Sequence, residues 1–151
     1  MKEIIEKLNN IKNKIIEEKT TGKLRFLGLI ARADIEGKWD LLVSADWIKK
    51  NSSEDDFVYI IQKLKDNFDE KLDFLARIVL LTPKEAFIQQ LARAIIRENG
   101  GEAGKITSLK TSKDFIVGQI VVIAFDFTDI GLDVSQETED GPVGIKDIVN
   151  F

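Results

Sequence analysis

Apolar residues recur at Ile4, Leu8, Ile11 and Ile15, at spacings of four, three and four, which predicts one stripe of an amphipathic helix. Ile5 and Ile16 widen that stripe, while Glu3, Lys7 and the polar residues between form the wet face. Thr20-Thr21-Gly22 ends the helix, with Gly22 as a left-handed cap. Leu24 to Ala33 is apolar on both sides and predicts a first strand. Asp34-Ile35-Glu36-Gly37 is a turn, because Glu-Gly between two apolar runs supplies a positive-φ position. Lys38 to Asp46 then alternates: Trp39, Leu41, Val43 and Ala45 share one side, and Asp40, Leu42, Ser44 and Asp46 the other. The short connection makes these two strands an antiparallel hairpin.

Asn51-Ser52-Ser53 opens a second helix, with Ser53 and Asp56 at capping-box spacing and Phe57, Ile60, Ile61, Leu64 and Phe68 as its buried stripe. Phe74 to Leu81 reads as a buried strand, though Leu72 onward also suits a helical start. Thr82-Pro83-Lys84-Glu85 predicts a third helix with Thr82 as N-cap and Pro83 in the first helical position. That helix continues through Phe87, Ile88, Leu91, Ala92, Ile95 and Ile96 to Asn99-Gly100-Gly101. Lys105 to Thr111 is a polar edge strand, Ser112-Lys113-Asp114 a turn, and Phe115 to Phe127 a strand covered on both faces. Residues 135–151 read as an acidic surface loop and a short C-terminal segment in which Ile145, Ile148, Val149 and Phe151 dock. The expected fold is α+β: one domain over 1–151, with a single mixed sheet of about five strands, packed helices and the order α-β-β-α-β-α-β-β.

Composition narrows the chemistry. The chain has no histidine and no cysteine. Thiolate metal sites, Cys–His and Ser–His–Asp machinery and redox thiols are therefore excluded. An enzyme built from it must use carboxylates, a hard cation such as Mg²⁺, or lysine. A length of 151 residues fits one domain whose core needs no disulfide. With 26 acidic against 22 basic residues, the net charge of −4 opposes broad capture of nucleic acid. Met1 to Lys14 alternates charge with isoleucine and lacks the apolar core of a signal peptide, so a cytoplasmic location is expected. The run Ile120 to Phe125 is too short to span a bilayer, so no membrane role is expected.

Candidate ligand-binding residues cluster at the first hairpin. Asp34, Glu36, Asp40 and Asp46 surround it, and Arg32 beside the turn is a candidate anion holder or a surface ion-pair partner. Asp40 and Asp46 share a face, but six residues along a strand separate them by roughly 20 Å. They need another element to hold one ion together. Asp126, Asp129 and Asp133 form a second acidic group without EF-hand spacing, and read as a solvated loop. Gly100, Gly101 and Gly104 follow a helix instead of opening one, which does not suit phosphate binding. Trp39 reads as sheet packing, and Trp47, just past the strand, as the more exposed ring for stacking.

The stretch Phe26-Leu27-Gly28-Leu29-Ile30-Ala31-Arg32-Ala33-Asp34, followed by Trp39-Asp40-Leu41-Leu42-Val43, resembles the opening of the small nucleotidyltransferase fold. The resemblance spans residues 1–46. It implies that Gly28 matches the family glycine and Asp40 one Mg²⁺-binding carboxylate. Leu29 stands where the family has serine, Lys38 or Leu42 replaces the companion carboxylate, and Arg77 to Val79 carries no third acid. As a nucleotidyltransferase this copy is catalytically incomplete.

Three readings follow. The leading one is a non-catalytic regulatory domain that binds a partner protein or a second copy of itself, without cofactor, its acidic surface facing a basic partner. A second is a Mg²⁺-dependent nucleotide-handling enzyme using Asp40 with Asp34 or Asp46, completed by an acid such as Asp126. A third is a nucleic-acid module using Arg25, Lys49, Lys50, Lys105, Lys110 and Lys113.

Overall fold

The computed structural model describes residues 1–31, 36–49, 54–99, 106–108, 119–127, 129–130 and 132. Their elements are α1 (Lys2–Glu18), β1 (Leu24–Ala31), β2 (Trp39–Ala45), α2 (Glu54–Phe68), β3 (Leu75–Leu81), α3 (Ala86–Asn99), β4 (Ile106–Ser108) and β5 (Gln119–Phe125). The sheet order is β3-β2-β1-β5-β4. Strands β2 and β3 are parallel and every other pairing is antiparallel, so the sheet is mixed and the fold α+β. Four strands of seven or eight residues carry the sheet, and the three-residue β4 pairs with β5 at the edge.

Strand alternation sorts the side chains into two cores. Leu27, Leu29, Leu41 and Val43 face Leu8, Ile11 and Ile15 of α1 and Ile60, Leu64 and Phe68 of α2. Phe26, Ile30, Leu42, Val79 and Val122 face Ile88, Leu91, Ala92 and Ile95 of α3. The result is three layers: α1 and α2, then the sheet, then α3. β1 lies mid-sheet with helices on both sides, which is why its sequence is apolar in both registers. Gly28 sits at a register irregularity between β1 and β5. A Cβ there would stand 2.5 Å from the Val121 carbonyl oxygen and 2.7 Å from the Phe26 ring. The backbone contact is not tolerable, so a side chain at this position would push β1 and β5 apart as well as displace the Phe26 ring.

Several details differ from the sequence reading. Ile16 is 56% exposed, because the buried stripe of α1 narrows to Leu8, Ile11 and Ile15. That helix ends at an extended Lys19, and Gly22 is not its cap. Helix α3 starts at Ala86, not at Pro83. The Glu85 N–H donates to the Thr82 carbonyl at 3.2 Å, closing a separate turn with Pro83 inside it. Asp40, in the alternating pattern of β2, is buried. Leu72 to Phe74 forms a turn before β3, with the Leu75 N–H donating to the Leu72 carbonyl at 3.0 Å. The Ser53 cap, the Gly100 to Gly104 stretch, the Ser112 turn and residues 135–151 lie outside the described residues. Among the described residues, no helix is long and apolar enough to cross a membrane.

Candidate binding site

The parallel strands β2 and β3 end side by side, at Ala45 and Leu81. Loops leaving the carboxyl ends of parallel strands are the usual place for ligands in such sheets. Here they border a cleft of about 530 Å³. Asp46, Ile48 and Lys49 line it from the loop after β2, and Thr82, Pro83 and Lys84 from the turn after β3. Gln89 of α3, Ile130 and Arg25 complete the wall. The walls are tied down. Gln89 Nε2 donates to the Pro83 carbonyl at 3.3 Å, the Ile48 N–H to the Ala45 carbonyl at 3.1 Å, and the Ile130 N–H to the Phe127 carbonyl at 3.2 Å.

Arg25 is placed by a β-bulge. The β1–β2 register shifts between Leu24 and Phe26, leaving Arg25 as the extra residue, and a bulge re-aims its side chain. Its guanidinium lies buried and meets two acids from different parts of the chain. Nε donates to Asp46 Oδ1 at 2.8 Å and Nη2 to Asp46 Oδ2 at 3.0 Å, a bidentate fork. Nη1 donates to Asp129 Oδ1 and also to the Asp126 carbonyl at 3.2 Å, and Nη2 reaches Asp129 Oδ2 at 3.3 Å. These five bonds match the five N–H donors an arginine has. The Asp126 N–H returns a bond to the Arg25 carbonyl at 2.9 Å. One side chain thus binds β1, the end of β2 and the segment after β5.

Asp46 is fixed from a second side. The Lys23 N–H donates to its Oδ2 at 3.0 Å, and its own N–H donates to the Lys23 carbonyl at 2.9 Å. Gly22, with φ +142°, lets the backbone pass: a Cβ there would sit 2.7 Å from Asp46 Cβ. The ammonium of Lys23 stands 3.7 Å from carboxylate oxygens of both Asp126 and Asp129.

Electrostatics lock these charges. Hydrogen bonds from Arg25 hold the Asp46 carboxyl below its usual range, with the Lys23 N–H helping against partial desolvation. Hydrogen bonding from Arg25 also lowers Asp129. Bonds to Asp46 and then Asp129 raise the Arg25 guanidinium further still. All three groups keep their charge across neutral pH. Proton transfer needs a group that titrates near the working pH, and these are moved away from it.

The residues singled out from sequence go to different places. Asp46 belongs to this cluster. Asp40 lies at the other end of β2, where its Oδ2 accepts from Arg77 Nε at 2.9 Å across the parallel ladder. A guanidinium at that distance opposes a second cation, so the surroundings of Asp40 do not fit Mg²⁺. Among the described residues, no three acids converge to hold a metal ion. Gly28 is packed inside the sheet. Trp47 is half-buried against the α1–α2 core, edge-to-face with Tyr59 at 5.9 Å, and the Lys19 ammonium lies 5.0 Å from its ring. Arg32 and Asp34 lie outside the described residues, as do Lys50, Lys105, Lys110 and Lys113. Arg25, grouped above with basic residues for nucleic acid, spends its donors internally. Asp129, read above as a solvated loop residue, is its second counterion. The signal for Arg25 was available: one charge inside an apolar strand, beside Asp46 once the hairpin is registered.

No protein-family model matches this chain, and no curated protein or solved structure matches it either.

Proposed function

We propose that this domain binds a partner protein through the cleft at the ends of β2 and β3, and that it does so without catalysis. One observation carries the reading: the guanidinium beside the cleft is already fully hydrogen-bonded from within. Arg25 saturates its donors on Asp46, Asp129 and the Asp126 carbonyl. It acts as a brace for the cleft wall, not as a reagent facing into it. What the cleft offers outward is apolar surface from the half-buried Pro83 and Ile130, over a floor that includes the buried Ile48, with lysines at its rim. Such a surface gains affinity by excluding water and aligning charge.

The test is site-specific photo-crosslinking in the native cell. A photoreactive residue at Gln89, in the cleft, should give a discrete adduct that is absent when the same residue replaces Asn13 on α1. Mass analysis then separates a partner protein from a second copy of this chain. Identical adducts from both positions, or none from Gln89, would refute the reading. So would purified protein that turns over a substrate.

A further inference from the structure

The charge of the cleft points to the chemistry of its occupant. The inference rests on the cleft being the binding site. On a chain of net charge −4, three of the four charged residues lining the cleft are cationic: Arg25, Lys49 and Lys84, against Asp46. Arg25 and Asp46 satisfy each other. Lys49 and Lys84 are exposed and enter no ion pair among the described residues. They sit on the two loops that line the cleft, beside the half-buried apolar residues Pro83 and Ile130.

We infer that the cleft takes a short acidic peptide segment of a partner, with an aliphatic or aromatic side chain flanked by carboxylates. The apolar side chain packs on Pro83 and Ile130 and supplies most of the affinity. The flanking carboxylates meet Lys49 and Lys84, which fix direction and select against basic segments by repulsion. The brace at Arg25 contributes indirectly. It holds Asp46 on the guanidinium, which offsets its charge and weakens its repulsion of an acidic ligand.

The experiment is selection of random displayed peptides on the full chain, followed by anisotropy titration of the winners against wild type, K49E/K84E and Thr82→Arg. The two lysines are exposed, so their reversal leaves the core intact. Thr82→Arg obstructs the cleft itself. The expected winners pair Asp or Glu with Leu, Ile or Phe, bind less tightly as salt rises, and lose roughly tenfold or more in affinity in K49E/K84E. Thr82→Arg should weaken them as well. Winners that are basic or uncharged, yet still lost in Thr82→Arg, would overturn this inference and leave the cleft as the binding site. Acidic winners indifferent to K49E/K84E would overturn it too. No enrichment, or binding untouched by both variants, would overturn the cleft reading along with it.

Discussion

Asp40 and Asp46 flank the body of β2, and each is held by an arginine from a neighbouring strand. Arg77 comes from β3 along the parallel ladder, and Arg25 from a bulge in β1. The two settings differ in access to water. The Asp40 side chain is 3% exposed, whereas Asp46 and Asp129 are 32% and 50% exposed. The first pair lies largely buried on the sheet. The second stands at the rim of a cleft. A carboxylate sealed from water depends on protein groups for its solvation, and a rim carboxylate has water in reserve. The same chemistry therefore serves packing in one place and shapes a surface in the other.

Removing the arginines should expose that difference. Arg77→Ala takes the Nε donor from a buried carboxylate and should cost about 3–5 kcal/mol in urea unfolding. An effect below ~1 kcal/mol would mean that water reaches Asp40. Gly28→Ala, between the two pairs in the central strand, should cost ~2–3 kcal/mol, because the new Cβ meets backbone at Val121 as well as a flexible ring. Arg25→Met should cost only ~1–2 kcal/mol, since Asp46 and Asp129 can hydrate. Its larger effect should fall on the peptides selected at the cleft, which would lose affinity as Asp46 becomes an uncancelled negative charge.

Acid sharpens the contrast. The folded Asp46 carboxyl lies below its usual range, so its contribution to stability is present above the unfolded value near about pH 4. That contribution is lost as pH falls through the lower folded value. Asp46→Asn should therefore differ most from wild type at neutral pH, and the gap should close in acid. Denaturant midpoints at several pH values measure it. The smallest expected effect lies away from both pairs. Glu70, with φ +69° after α2, holds a left-handed backbone that disfavours a side chain. Glu70→Gly should raise stability by ~0.5–1 kcal/mol without touching the cleft.

How much of this could be read beforehand depends on range. The three helices and the first hairpin follow from periodicities of 3.6 and 2, because Leu8, Ile11 and Ile15, or Leu41 and Val43, declare their shared face locally. The turn at Gly37 has its expected positive φ of 77°. The start of α3 was misjudged because Thr82-Pro83 serves equally well in a turn and as a helix opening. The site itself was half visible. Asp46 is an acid near the hairpin, but its partner Arg25 is aimed by a bulge, and the second counterion of Arg25 comes from a segment more than a hundred residues further on. No local pattern records such a contact. The burial of Asp40 is not legible from strand alternation, which gives the face of the sheet and not what covers it.

The measurement that bears most directly on the central claim is carbon-detected NMR titration of the aspartate side-chain carboxyls in the intact protein. The account predicts that Asp46 and Asp129 titrate below the usual aspartate range, with no carboxyl inflection between about pH 6 and 8 in the cleft. In Arg25→Met both should return toward ordinary values. A carboxyl at this cluster titrating near neutral pH in the wild type would mark a proton-transfer group, and would contradict the view that Arg25 braces a binding surface.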